Sequence, residues 1–156
     1  MNPPTIFILQ FTLSLIVFAL LTKWYLTPWL ANQPIHTALI VLVFPHATRH
    51  IGLSFLVPGL TDELPTTFAT EAAYGDFVSG LLAILCLVAL RRHWGLALPL
   101  VWVFNLVGTV DLVNALRQAE AIPHLGVTWF IPTFLVPVLL ITHGLIFARL
   151  LKHARQ

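Results

Sequence analysis

Five long apolar segments divide the chain, and each is about as long as a helix that crosses a bilayer. They cover residues 5–25, 35–57, 70–90, 96–116 and 128–150. A helix needs about 20 mostly apolar residues to cross the hydrocarbon core, so every segment qualifies. Charged residues make up only 9% of the 156 residues, whereas about 25% are charged in soluble domains. The sequence therefore predicts an all-α fold, a polytopic integral membrane five-helix bundle that forms a single domain over residues 1–156.

The distribution of lysine and arginine predicts how this bundle is oriented. The connectors and segment ends on one side hold Lys23, Arg91, Arg92, Arg149, Lys152 and Arg155. Connectors on the other side carry Arg117 with the acids Asp62, Glu63 and Glu120. Because basic connectors stay in the cytoplasm, we expect an external N-terminus and a cytoplasmic C-terminus. No basic residue precedes the first segment and no small-residue cleavage site follows it, which favours a retained span over a signal peptide.

Polar side chains interrupt four of the apolar segments. They are His46, Arg49 and His50 in the second segment, Tyr74 and Asp76 in the third, Asn105, Asp111 and Asn114 in the fourth, and His143 in the fifth. An arginine or aspartate in mid-membrane costs about 2.5–3.5 kcal/mol on insertion scales. We therefore expect these side chains to face the interior of the bundle and to mark a functional site.

The ionisable side chains fall at similar depths. With a helical rise of about 1.5 Å per residue, His46 lies near the bilayer centre, and Arg49 and His50 lie about 4–6 Å toward the outer face. Asp76 and Asp111 lie about 6–8 Å toward the same face, although their helices run in opposite directions. Arg49 needs a counter-ion, and these are the only acids at its depth. The sequence thus predicts a polar pocket in the outer half of the membrane.

Acid–base chemistry is the activity that this pocket favours, because histidine and carboxylate side chains beside an apolar cavity can exchange protons with a substrate. We predict that His50, Asp76 and Asp111 are catalytic in an isomerase-like reaction on a small lipophilic substrate. His46 and His50 are four residues apart, so in an α-helix they share a face. The residues predicted to bind the substrate are His46, Arg49, Tyr74, Asn105 and Asn114.

Alternatives remain open at this point. His46 and His143 lie at similar depths and could ligate haem b axially, although no sequence feature requires a cofactor and none is predicted. A quinone- or pigment-binding protein, a non-catalytic subunit of a membrane complex, and polar residues that only join helices are also compatible with the pattern.

Metal and nucleic-acid sites are not expected. Residues 46–50 place two imidazoles one turn apart, but Ala47 replaces the glutamate of the HExxH motif, and Arg49 would repel a dication. The charges lie in short clusters between apolar segments, which excludes a nucleic-acid footprint. The expected partners are membrane lipid and a small lipophilic ligand, and the sequence is compatible with oligomerisation.

Overall fold

The computed structural model describes residues 1–155, and the chain is all-helical, with no strand among those residues. Five helices are long and apolar enough to cross a membrane. They are α1 (Pro3–Ala31), α2 (Ile35–Leu56), α3 (Thr66–Arg91), α4 (Ala97–Arg117) and α5 (Gly126–Ala154). Each predicted segment therefore corresponds to one helix. The helical bundle is confirmed, and the main differences are that α1 continues past residue 25 and that α3 begins before residue 70.

Two of the helices contain wide turns next to proline. In α1 a π-helical turn at Thr22–Leu26 precedes Pro28, and the helix then continues to Ala31. In α5 a π-helical turn at Ile131–Leu135 contains Pro132, and the regular α-helix begins at Val136. Proline has no backbone N–H to donate and its ring crowds the preceding turn. The wider turns accommodate both prolines without ending the helices.

The second half of α2 is a 3₁₀ helix over Phe44–Leu56, and this changes which residues face the bundle. Its buried residues are His46, Arg49, Gly52 and Phe55, at a spacing of three. A 3₁₀ helix has about 3.0 residues per turn, so residues three apart are aligned. His50 is consequently exposed, and its Nδ1 lies 3.0 Å from the carbonyl oxygen of Ala47. The expectation that His46 and His50 share a face is wrong, because it assumed α-helical geometry.

The helices pack around α3, which contacts both halves of α2 and also α4, while α5 contacts α1, α2 and α4. One apolar core fills the half of the bundle near Leu39, Cys86 and Val101. A second core lies toward the opposite end, around Phe55, Phe68 and Leu125. Helix α1 is peripheral, since none of its residues up to Leu21 is buried.

The connectors gather at two opposite ends of the bundle. At one end the ring of His36 stacks on His93, with centroids 4.8 Å apart, and residues 31–35 approach the end of α5. We call this the basic end, formed by residues 31–36, 91–96 and 149–155. At the other, the Asp62 N–H donates to the His124 carbonyl at 2.9 Å. We call this the acidic end, formed by residues 57–65 and 118–125.

Candidate functional site

Arg49 lies fully buried between three helices and binds both of the acids that the sequence placed at its depth. Its Nε donates to Asp76 Oδ1 at 2.7 Å, and its Nη2 donates to Asp111 Oδ2. Its Nη1 donates to the backbone carbonyl of Gly108 at 3.2 Å. A guanidinium is always charged and presents its donors in a rigid fork. The side chain therefore ties α2 to α3 and α4 through charge-assisted hydrogen bonds.

Three glycines make room for this polar cluster. A Cβ at Gly52 would overlap the carboxylate of Asp76, and a Cβ at Gly75 would overlap that of Asp111. A Cβ at Gly108 would lie 2.9 Å from Arg49 Nη1. The absence of a side chain at these positions lets the charged groups approach the neighbouring backbones. The sequence indicates close helix packing at Gly75 and Gly108 but assigned none of the three glycines to the site, although the repeat of His46, Arg49 and Gly52 every third residue was a usable signal.

A pair of buried imidazoles lies beside Arg49. The rings of His46 and His143 are in contact, with centroids 4.1 Å apart. His46 Nε2 lies 2.9 Å from Thr142 Oγ1, which is also 2.9 Å from the Val138 carbonyl oxygen. Because a carbonyl can only accept, the hydroxyl proton of Thr142 points to it, and Oγ1 accepts from His46 Nε2. This assignment from the hydrogen-bond network leaves His46 Nδ1 buried without a partner among residues 1–155.

His143 is held in a comparable way by α4. The amide nitrogen of Asn105 donates to the His143 carbonyl at 3.2 Å, so Asn105 Oδ1 faces the ring and accepts from His143 Nδ1 at 2.6 Å. His143 Nε2 has no hydrogen-bond partner among the described residues. Asn105 thus orients the ring of His143. Each imidazole keeps one buried nitrogen without a hydrogen-bond partner among the described residues, Nδ1 of His46 and Nε2 of His143.

The two histidines do not fit the haem alternative. A haem with two axial histidines needs the iron and its flat macrocycle between the rings, whereas the rings of His46 and His143 touch. Phe104 packs against both, with centroid distances of 5.1 and 5.5 Å. No slot for a macrocycle separates them. Within residues 1–155, no three His, Cys, Asp or Glu side chains converge as metal ligands.

A narrow cavity of about 60 Å³ begins at the two carboxylates and extends toward the acidic end. Asp76 and Asp111 form part of its wall, and the only other polar side chain there is Gln118. The rest of the lining is aliphatic and aromatic, with Phe7 of α1 and Phe55 of α2 among it. By the usual space requirement of a buried water, it holds a few water molecules or the polar end of a ligand. A longer molecule would extend out of it.

Three predicted site residues lie outside this cluster. His50 faces away because of the 3₁₀ geometry, and Tyr74 is 56% exposed because it sits two residues, or about 200°, around α3 from Asp76. Asn114 is exposed and donates to Glu71 Oε2 at 2.9 Å. The structure thus brings Arg49 together with Asp76 and Asp111 and separates them from these three.

The remaining predicted residues form a second layer behind Arg49. His46, Asn105 and His143 are buried, with exposed fractions of 0%, 0% and 2%. None of them lines the cavity. They contact one another and the protein backbone, so their position fits orientation of the cluster better than direct contact with a ligand.

Comparison with known proteins adds the family but no activity. No curated protein and no solved structure matches the chain. One family model covers almost all of it, from the first turns of α1 to the end of α5. The chain belongs to the family described as "Domain of unknown function (DUF8737)", whose model matches residues 6–151.

Proposed function

We propose that the protein crosses a membrane five times, with its N-terminus outside and its C-terminus in the cytoplasm. The five apolar helices support the number of crossings. The orientation is supported by the basic residues. Five of them, Arg91, Arg92, Arg149, Lys152 and Arg155, lie at the basic end, and Lys23 lies in the part of α1 that is nearer to this end. In this orientation the acidic end is external, and the cavity lies in the outer half of the bilayer.

Within this frame the cavity binds the polar end of a small lipophilic substrate, and Asp76 and Asp111 act on it by acid–base chemistry. The observation that carries this proposal is that both carboxylates share one guanidinium at the wall of a cavity whose other lining residues, except Gln118, are apolar. Each gives one oxygen to Arg49. Among residues 1–155 no donor reaches the other oxygen of either carboxylate, and these oxygens lie against the backbones of Gly52 and Gly75. The side chains of Asp76 and Asp111 remain 12% and 15% exposed, which leaves each carboxylate partly accessible to a ligand.

The charges of the cluster favour proton transfer. One guanidinium against two carboxylates leaves one negative charge in a largely apolar setting, and one proton bound by the acid pair neutralises it. In a β,γ-unsaturated carbonyl substrate, the ionised carboxylate can remove a proton from the carbon next to the carbonyl, and the C–H electrons then form a dienolate. The protonated carboxyl donates a hydrogen bond to the dienolate oxygen. Return of the first proton to the γ carbon re-forms the carbonyl and moves the C=C double bond into conjugation with it, which isomerises the substrate. No further reactant is needed for this balance.

Arg49 takes a positioning role in this scheme because it cannot release a proton. It fixes the carboxylates at the cavity wall and balances one of their charges. His50 is left out of the acid–base pair, since its ring is turned toward the protein exterior. His46, Asn105 and His143 support Arg49 from behind, where they restrict its movement toward the basic half of the bundle.

Exchange of carbon-bound protons with solvent tests the proposal without knowledge of the natural substrate. The purified protein in detergent is incubated in D₂O with methyl nonyl ketone, and deuterium uptake next to the carbonyl is followed by mass spectrometry. We expect faster uptake with the unmodified protein than with Asp76→Asn or Asp111→Asn. Asp62→Asn, a change at the acidic end outside the cavity, is the matched control and should retain the activity.

The results of this experiment distinguish an enzyme from a ligand-binding protein and from a structural subunit. Stabilisation of the protein by the ketone without deuterium uptake would leave a ligand-binding role and remove the catalytic one. Equal uptake in all variants would remove the carboxylates from the reaction. Neither stabilisation nor uptake, with a panel of alkyl ketones and alcohols, would favour a structural subunit.

A further inference from the structure

A groove at the basic end has the composition of a lipid site. It lies between α2 and α3, measures about 370 Å³, and is lined by Ile40, Phe44, Leu87, Val88, Arg91 and Arg92. The first four side chains are apolar, and the two arginines end the groove where α3 ends. Leu87 lies four residues before Arg91, or about 6 Å deeper along the helix. The groove therefore changes from apolar to cationic over roughly one helical turn.

The cations of this end have no counter-charge within the described structure. The salt bridges found in residues 1–155 both belong to Arg49. Every acid in the sequence lies elsewhere, since Asp76 and Asp111 bind Arg49 and the other acids are in or near the acidic end. A neighbouring pocket of about 280 Å³ adds Arg149 and Lys152 to the same end. Among the described residues, the basic end is thus a concentration of positive charge that no acidic side chain neutralises.

We propose that the groove binds an anionic phospholipid of the cytoplasmic leaflet. The phosphodiester accepts hydrogen bonds from Arg91 and Arg92, which suit phosphate oxygens through their forked donors. The first carbons of one acyl chain lie against Ile40 and Leu87. Basic residues near a membrane surface attract anionic lipids, and pockets between helices convert that attraction into a defined site. The proposal rests on the membrane location and orientation given above and is independent of the cavity chemistry.

Reconstitution in nanodiscs of defined lipid composition tests this site. The protein is placed in phosphatidylcholine alone or with an added fraction of phosphatidylglycerol, and its thermal unfolding and its retained lipids by native mass spectrometry are measured. We expect phosphatidylglycerol to raise the melting temperature and to be retained. The double variant Arg91→Gln with Arg92→Gln should bind it about 30-fold more weakly, which corresponds to about 1 kcal/mol per arginine.

Two further variants test whether lipid binding depends on the groove itself or only on positive charge at the protein surface. Val88→Trp fills the groove and keeps both arginines, and it should lose the retained lipid as the double variant does. Arg117→Gln removes an exposed arginine at the acidic end and should behave like the unmodified protein. All variants should melt at similar temperatures in phosphatidylcholine alone, because the changed side chains are largely exposed.

Three results would overturn the lipid site. They are full retention of phosphatidylglycerol by Val88→Trp, equal stabilisation by both lipids, and stabilisation by sodium phosphate in place of the lipid. The last would identify a free-phosphate site. The groove and the cavity share no residue, so a negative lipid result leaves the proton-exchange result unaffected, and the reverse also holds.

Discussion

Replacing Arg49 by methionine would leave two carboxylates without the cation that both of them bind. The guanidinium is 0% exposed, and its three hydrogen bonds go to Asp76, Asp111 and the Gly108 carbonyl. Removal of one partner from a buried ion pair costs about 3–5 kcal/mol. A protein of this length loses roughly 2–4 °C of melting temperature per kcal/mol. We therefore expect the variant to melt about 6–20 °C below the unmodified protein.

Neutralising the acids should recover much of that loss. The triple variant Arg49→Met, Asp76→Asn, Asp111→Asn no longer buries an unpaired charge, and apolar replacement of a buried ion pair is often close to neutral. Its melting temperature should lie well above that of Arg49→Met alone. The assay is thermal unfolding in detergent, followed by tryptophan fluorescence. If the losses of stability simply add across the three substitutions, Arg49 is not coupled to Asp76 and Asp111, because stability changes add at independent sites and not at coupled ones.

Three other predictions follow from the geometry. Gly75→Ala should destabilise the protein by about 1–3 kcal/mol, because its methyl group meets the Asp111 carboxylate, whereas Gly144→Ala, which meets nothing within 4 Å, should be neutral. Thermal unfolding compares the two variants, and equal effects would contradict the close packing of Gly75 against the Asp111 carboxylate. His50→Gln should keep the proton-exchange activity that Asp111→Asn loses, and a loss in both would restore His50 to the site. Reporter fusions in the connector over residues 57–65 should be active only outside the cytoplasm, and a cytoplasmic signal there would reverse the proposed orientation.

The helices and the ion cluster could be predicted because the sequence alone shows which groups would be unfavourable in lipid without a partner: the backbone of the apolar segments and the charge of Arg49. Long apolar segments leave helices as the structure that satisfies their backbone groups in lipid. Arg49 cannot be neutralised, so its partners had to be acids at the same depth, and Asp76 with Asp111 met that condition. These inferences needed residue types and depths, but no knowledge of how the helices turn relative to one another.

The direction in which individual side chains point depends on the type of helix, and the apolar pattern does not show this. The depth argument used α-helical spacing throughout α2, and the change to a 3₁₀ helix after Val43 moved His50 out of the cluster. A pocket beside the carboxylates was predicted, but most of its lining was not, because its walls come from distant parts of the chain such as Phe7 and Leu125. Such walls are set by the final packing of connectors and helix ends.

The ion pairs of Arg49 also help to set the length of the 3₁₀ half of α2. Its 13 residues extend about 26 Å at the 3₁₀ rise of about 2.0 Å, but would extend only about 20 Å as an α-helix. Rewinding would also turn Arg49 by about 60° relative to His46, away from its carboxylates. The ion pairs therefore hold the helix in its longer, overwound form.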